Sequence, residues 1–503
     1  MSSPDAVHVA RGASYIIVQN ITASAAMAVS FAIIARLITT EEMGIMAVLL
    51  LVQGFSQLIA TLALQQAVTK FISENLEPGG KHVAASVFYQ AMRLTLLSAT
   101  LIALVVFLGA SVLASEMLGD QTHAVLFQVL GLDIVLYAGA LPVLTGTMLG
   151  LQRFKETAII GIINTLVRQS LIIVLIVFLQ DFLGLVIAWV IADSVAASIY
   201  MGYVSRALGR PRFGFPLTKL LGFSWPLTVS NAATFASSWF DRVLLLIFVP
   251  LATLGVYNAT VTAFSVLVGI PGAMTAALFP AYSAMQSHPQ RKALSQAILK
   301  ASRYVSLVGV PLALGLLATA KPALTLFVGQ AYVEGTEPLM ILAGAFAFTL
   351  VGAILTPMLL ALGETRVTSA ITVASVVVSL VLASILLPFL GMVGAAIARA
   401  LAMVIVTTFT LLALGRRLKL QLDVEAISKS LVAGIVMAAV VLMVEILFYN
   451  KFLLPGYALL GGIAYLGMLR LLRVAREEDI NLIRKYLGHR LAFAADFLQR
   501  ILL

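Results

Sequence analysis

The chain of 503 residues has no cysteine, only five histidines, and charged side chains at just 11% of its positions. Each shortage closes a class of function. Without cysteine there is no disulfide, no thiolate nucleophile and no thiolate metal site. His8, His82, His123, His288 and His489 stand far apart with no HxxxH spacing, which argues against a metalloenzyme. No GxxxxGK[ST] loop occurs, since Gly79-Gly80-Lys81 lacks its pattern, and no polar stretch is long enough for a nucleotide-binding domain. On this reading the chain hydrolyses no ATP and holds neither metal nor cofactor. A cleavable leader is also missing: MSSPDAVHVA is no basic n-region, and the apolar run after Arg11 is too long for an h-region.

What fills the chain instead is apolar. It is 61% hydrophobic with a mean hydropathy of +1.05, against about 45–50% apolar and about 25% charged residues in a soluble domain. A span of membrane needs about 20 mostly apolar residues in a helix. Fourteen such stretches run at 13–35, 44–66, 84–113, 124–149, 157–179, 183–204, 221–248, 255–284, 304–326, 338–362, 367–389, 392–414, 429–449 and 453–472. An outer-membrane barrel would alternate polar and apolar residues and is excluded. The expectation is an all-α polytopic membrane protein of about fourteen transmembrane helices.

The net charge of +10 is a topological signal rather than a nucleic-acid footprint. Of 32 Lys and Arg, 25 fall on the side of the two termini, three (Arg36, Lys321 and Lys451) on the other, and four inside spans. That bias places both termini in the cytoplasm. The opposite loops are short and leave no room for a catalytic lid, so the chain is read as a non-enzyme. The tail from Arg470 is basic and amphipathic, fit to lie on an anionic inner leaflet or to form an ordinary surface helix.

Sliding the chain against itself by 211 residues aligns Asn20 with Asn231, Gly44 with Gly255, Leu144-Thr145 with Leu355-Thr356 and Lys155-Glu156-Thr157 with Arg366-Val367-Thr368. With a four-residue gap, Leu183-Gly184-Leu185-Val186 meets Leu390-Gly391-Met392-Val393. The repeat holds six helices, an even number, so the two copies run parallel. The expected organisation is a six-helix lobe at 1–208, a second at 209–418 around a central cleft, two further helices at 419–472, and the tail at 473–503. Such a duplication suits alternating access.

A charge at membrane depth costs about 2.5–3.5 kcal/mol on insertion scales, so it faces a cavity or a partner. Arg93 lies near enough to a membrane end to snorkel. Asp133, Arg168, Asp193, Asp241, Arg242, Arg399 and Glu445 remain. On the seventh span Asn231, Thr234, Ser238, Asp241 and Arg242 fall within an arc of roughly 100°, a polar stripe fit for a cavity wall. Its repeat mate, the first span, carries a weaker version with Asn20 and Ser24. Ser and Thr alone equally serve close helix packing. Arg399 and Asp193 hold nearly equivalent repeat positions and offer an ion pair. Arg168 with Asn164, and Asp133 with Tyr137, make patches that suit either a cavity or an ion pair. Pro142, Pro226, Pro271, Pro280, Pro311 and Pro357 interrupt helices and permit kinks.

Ala35-Arg36-Leu37-Ile38-Thr39-Thr40-Glu41-Glu42-Met43-Gly44, a helix end, a short acidic loop and a glycine opening the next helix, resembles the polysaccharide-transporter family of the multidrug, oligosaccharidyl-lipid and polysaccharide exporter superfamily. Leu254-Gly255-Val256-Tyr257-Asn258-Ala259, Leu278-Phe279-Pro280-Ala281-Tyr282-Ser283, Leu359-Leu360-Ala361-Leu362-Gly363-Glu364-Thr365 and Glu478-Asp479-Ile480 extend the likeness over nearly the whole chain. The resemblance implies a flippase that moves polyprenyl-(pyro)phosphate-linked oligosaccharide across the cytoplasmic membrane for surface polysaccharide or glycoprotein assembly. The substrate's anionic, hydroxyl-rich head wants arginine with amides and hydroxyls. Arg242, Asp241, Asn231, Asn20, Arg168 and Arg399 are the substrate-binding candidates, and Asp133, Asp193, Asp241 and Glu445 the ion-coupling ones. Implied partners are the lipid-linked oligosaccharide, membrane lipids and glycan polymerases or glycosyltransferases, but no nucleic acid, around a monomer. In lipid II flippases the first span helps to line a cationic cavity; Ser30 stands here without an arginine, which points away from lipid II. The alternative is a cation-coupled multidrug antiporter of the same superfamily.

Overall fold

The computed structural model describes residues 3–76, 80–209, 214–284, 291–362, 364–416 and 421–474. The amphipathic stretch expected after Arg473 lies outside them from residue 475 on. Among the described residues every regular element is a helix. The principal ones are α1 (Ser3–Leu37), α2 (Thr40–Thr61), α3 (Leu64–Ser73), α4 (Lys81–Leu108), α5 (Ala124–Ile134), α6 (Leu141–Gly150), α7 (Phe154–Leu179), α8 (Leu183–Ala207), α9 (Leu217–Phe248) and α10 (Leu251–Ala284). They continue as α11 (Arg291–Ala318), α12 (Ala320–Phe327), α13 (Thr336–Ala361), α14 (Thr365–Gly415), α15 (Val424–Leu447) and α16 (Leu454–Leu471).

Among the described residues twelve segments are long and apolar enough to cross a membrane, one of them running through both α5 and α6. The difference from the fourteen expected has two sources. The eleventh and twelfth stretches merge in α14, whose backbone leaves the helix at Gly391 with φ 52° and ψ −133°, a conformation open to glycine and strained for other residues. The seventh stretch does form the 32-residue helix α9, but its polar stripe dilutes its hydropathy.

Local chemistry explains several boundaries. Thr39 opens α2 with a capping box: Glu42 N–H donates to Thr39 Oγ1 (3.2 Å), and Thr39 N–H donates to Glu42 Oε2 (2.7 Å), so two backbone donors are satisfied reciprocally. The second apolar stretch is broken where Leu62 and Ala63 take left-handed φ values of 45° and 54°, which separates α2 from α3. In the fourth stretch a π-helical turn at Val135–Ala140 parts α5 from α6. Pro142 follows it and cannot donate the backbone bond that would continue the α register.

Packing divides the chain into two compact units, residues 1–242 with 249–258, and 243–248 with 259–503. The division by packing falls inside α9. Aromatic contacts tie α9 to the first unit: Phe223 meets the ring of Phe71 edge-on at 5.8 Å, and Phe235 meets Phe55 at 6.2 Å. The start of α10 is held there by Gly44 and Gly255. A Cβ on Gly44 would run into the Leu251 carbonyl, and one on Gly255 into that of Thr40. The two repeat-related glycines thus lock α2 and α10 together at backbone distance.

In the first unit α1 packs on α7, α7 on α8, and α3 on α6. Its core runs through Leu64, Ala67, Val68, Ile72, Ala84, Ala85, Phe88, Leu144 and Met148. Ala67, Ala84, Ala85 and Ala91 let the helices approach closely between the larger side chains. In the second unit α11 packs against α13 and α15, α13 against α14, and α15 against α16. Arg303 of α11 fastens the two last helices. Its guanidinium meets Asp423 at 3.1 Å and also donates to the Val474 carbonyl, while Asp423 caps α15 through Ala426 N–H at 3.0 Å.

Candidate functional site

Two groups of polar and aromatic side chains stand out in the first unit. The deeper one gathers residues from four helices. Asp133 at the end of α5 and Asp193 in mid-α8 are both 0% exposed, and Gln53 of α2 is 3% exposed. Arg168 of α7 joins them: Nη1 meets Asp193 Oδ2 at 3.2 Å, and Nη2 donates to Gln53 Oε1 at 3.4 Å. The Gln53 amide donates in turn to Asp133 Oδ2, and Asn164 Nδ2 donates to Asp193 Oδ1 at 3.2 Å. The guanidinium lies over the rings of Trp189 and Tyr137, 4.8 and 5.4 Å from their centroids. The π turn begins two residues after Asp133 and carries Tyr137, whose ring faces the Arg168 guanidinium.

Asp193 takes Arg168 and Asn164 of its own unit. Arg399 sits half-buried in α14 of the other unit. Two acids share one base. Oxygen Oδ1 of Asp133 accepts no hydrogen bond among the described residues. With both carboxylates ionised the group carries one surplus negative charge, which a buried site tolerates only with a proton or a cation to offset it. No cluster of three or more metal-ligating side chains occurs among the described residues.

The second group is an aromatic shelf. On α9, Phe235 and Trp239 stack with ring centroids 6.0 Å apart and planes inclined by 26°. Phe55 of α2, half-exposed, leans on Phe235. One turn on from Trp239, the Arg242 guanidinium lies 4.7 Å from its ring centroid, and Nη1 donates to the Ser238 carbonyl at 3.3 Å. Thr234 and Ser238 are exposed along the same helix, and their hydroxyls bond back to Ser230 and Thr234 carbonyls at 3.0 and 2.9 Å.

The polar stripe read from the sequence is therefore split. Arg242, Ser238 and Thr234 border the shelf, and Asn231 is half-buried. Asp241 turns the other way into the core, 0% exposed, where its carboxylate accepts from Tyr257 Oη at 2.6 Å and from Arg242 N–H at 2.9 Å. Asn20 is exposed on α1. Glu445 lies in the second unit, near the end of α15. Gln53 escaped the sequence reading because it has no charge to single it out. Phe55, Phe235 and Trp239 escaped it too, although the aromatic pair four residues apart on the striped helix was visible.

A profile of the family described as polysaccharide biosynthesis protein matches residues 33–337, more than half of the chain. This chain belongs to the polysaccharide biosynthesis protein family. Among curated relatives of this family member, a probable low-salt glycan biosynthesis flippase, Agl15 of Haloferax volcanii, is 24% identical over 433 residues, 86% of this chain and 89% of its own. The succinoglycan biosynthesis transport protein ExoT of Rhizobium meliloti is 26% identical over 323 residues, 63% of this chain and 61% of its own. Among solved structures, the inward-closed lipid II flippase MurJ superposes with a TM-score of 0.75 over 93% of this chain and 99% of its own, at 13% identity. An inward-facing multidrug MATE transporter gives 0.63 over 80% of this chain and 98% of its own, at 16% identity. These superpositions establish the fold, a multi-pass helical one.

Proposed function

We propose that this family member is a flippase, not an enzyme, translocating polyprenyl-(pyro)phosphate-linked oligosaccharide across the cytoplasmic membrane by alternating access, with both termini in the cytoplasm. The shelf of Phe55, Phe235, Trp239 and Arg242 is the observation that carries this reading. Sugar rings have apolar faces that lie well on aromatic rings, and a guanidinium at the end of the shelf matches a (pyro)phosphate with directed, charge-assisted hydrogen bonds. The flippase and transport relatives and the family profile support the same substrate class. The lipid tail stays in the hydrocarbon throughout.

With no ATP-binding loop in the sequence, the drive is an ion gradient or removal of product on the far side. The Asp133–Gln53–Arg168–Asp193 group is the coupling element: its surplus negative charge takes up a proton or a small cation, and relief of that charge alters how Arg168 is shared between α2 and α8. Arg168 thus acts inside this network, and phosphate docking falls to Arg242. Glycan polymerases or glycosyltransferases take the product onward, and the flippase works as a monomer.

The test is flipping of a short polyprenyl-diphosphate oligosaccharide in proteoliposomes, with wild type beside Arg242→Ala and Trp239→Ala, each with and without an imposed ion gradient. Flipping that needs the protein and falls in both variants at equal reconstitution is the expected outcome. Unchanged flipping by Arg242→Ala removes the docking role, and cation-coupled dye efflux without lipid flipping moves the chain to the antiporter reading.

A further inference from the structure

The second unit holds a cavity of about 360 Å³ lined by Leu317, Lys321, Thr336, Met340, Glu445 and Tyr449, among others. It lies where α11 ends, α12 and α13 begin and α15 closes, the end of the bundle where successive helices turn. Glu445 is only 8% exposed, and among the described residues its carboxylate makes neither hydrogen bond nor ion pair, although the charge of Lys321 reaches it. Lys321 does not close on it. Its ammonium instead lies 4.5 Å from the centroid of the Tyr449 ring, and the Tyr449 hydroxyl is anchored 3.4 Å from Thr325 Oγ1 on α12. One buried anion and one rim cation therefore face the same cavity without neutralising each other.

A buried carboxylate with no partner costs several kcal/mol, so such a site is complementary to a ligand that brings the cation. The lysine on the rim adds a demand for an anion. A water occupies about 30 Å³ of liquid, so the cavity is far larger than a lone ion requires. Its remaining walls, Leu317, Met340 and Leu442, are apolar. Ile446, Leu447 and Phe448 are 78, 62 and 67% exposed beside it, a surface for acyl chains.

We infer that this cavity seats the headgroup of a zwitterionic phospholipid of the phosphatidylethanolamine type, its primary ammonium on Glu445, its phosphate on Lys321 and its acyl chains along the exposed end of α15. A primary ammonium gives the carboxylate N–H donors that a choline lacks, and a phosphatidylglycerol headgroup offers no cation at all. The cavity shares no residue with the aromatic shelf and does not depend on which glycan is carried.

The experiment is native mass spectrometry of the full-length protein titrated with phosphatidylethanolamine, phosphatidylcholine and phosphatidylglycerol of identical acyl chains, for wild type, Glu445→Gln and Lys321→Met. Wild type is expected to retain phosphatidylethanolamine at least 5-fold more tightly than either other lipid. Glu445→Gln should erase that preference while still binding phosphatidylglycerol. Lys321→Met, at an exposed position that leaves folding intact, should weaken phosphatidylethanolamine and phosphatidylglycerol alike. Equal retention of the three lipids by wild type overturns the inference, as does a preference that survives both substitutions.

Discussion

Removing Arg168 tests whether the buried group of the first unit is one coupled network. Arg168→Met keeps an unbranched apolar stem but removes the guanidinium from Trp189 and Tyr137, and leaves Asp193 with Asn164 as its remaining partner and Gln53 without its guanidinium. The Asp193 side chain is 0% exposed and that of Arg168 only 15%, so little solvent screens the loss. Removing one member of a buried ion pair costs about 3–5 kcal/mol. For a unit of this size that corresponds to a fall in Tm of roughly 6–20 °C, at about 2–4 °C per kcal/mol. Asp193→Asn should fall less, since the amide still accepts from Arg168. The double variant Arg168→Met/Asp193→Leu, with neither charge, should recover most of the loss, with Asp133 still deprived of the cation's field. The assay is thermal unfolding of purified protein, followed by loss of the monodisperse peak in size-exclusion chromatography. A double variant as low as the sum of the Arg168→Met and Asp193→Leu losses, each measured alone, would refute the coupling. So would a shift in Arg168→Met smaller than about 2 °C, the equivalent of one exposed ion pair worth at most about 1 kcal/mol.

Other substitutions probe the remaining features. Gly255→Ala sets a methyl against the Thr40 carbonyl, which cannot rotate away, and should lower stability by about 1–3 kcal/mol as overpacking does; Gly462→Ala, with open space around it on α16, should raise it by up to about 1 kcal/mol through helix propensity. Thermal melts of the pair check both signs. Trp239→Ala removes the ring beneath Arg242 and should weaken the apparent affinity for a diphosphate-linked glycan about 2- to 30-fold, the equivalent of about 0.5–2 kcal/mol for a cation over an aromatic face, read as the half-saturating substrate in reconstituted flipping. At the Arg303 clasp, Asp423→Asn should keep the α15 cap and lose only the charge, whereas Asp423→Ala should cost about 0.5–2 kcal/mol more for the lost cap, measured as the difference between the two melting temperatures.

Much of the fold was readable because lipid imposes a simple rule on sequence: a span must be apolar for about 20 residues. Leu183–Ala207 and Val424–Leu447 follow that rule to within a few residues. The capping box at Thr39 and the kink at Gly391 were not anticipated from the sequence. Nor was the break at Leu62–Ala63, since neither residue favours a left-handed backbone and only tertiary packing forces it. The candidate site was half-legible. A charge count finds Asp133, Arg168 and Asp193, but their grouping around Gln53 joins four helices that are far apart in the sequence. The stripe on α9 was placed on one face by periodicity, yet Asp241 belongs to the core. An arc of 100° is wide enough to span both a surface and a helix contact, and Tyr257 decided which side Asp241 took.

The interlock of α2 with the start of α10 has a consequence for biogenesis. The first unit is completed by residues 249–258, which emerge from the ribosome after α9 has been made. Until then Gly44 faces an empty slot and the Asp241 carboxylate, sealed later by the Tyr257 hydroxyl, has no cover from α10. The first half of this chain therefore cannot mature as an independent module during synthesis: it waits for the next span to insert, and a nascent chain halted at residue 248 is the length at which quality-control proteases should find it most vulnerable.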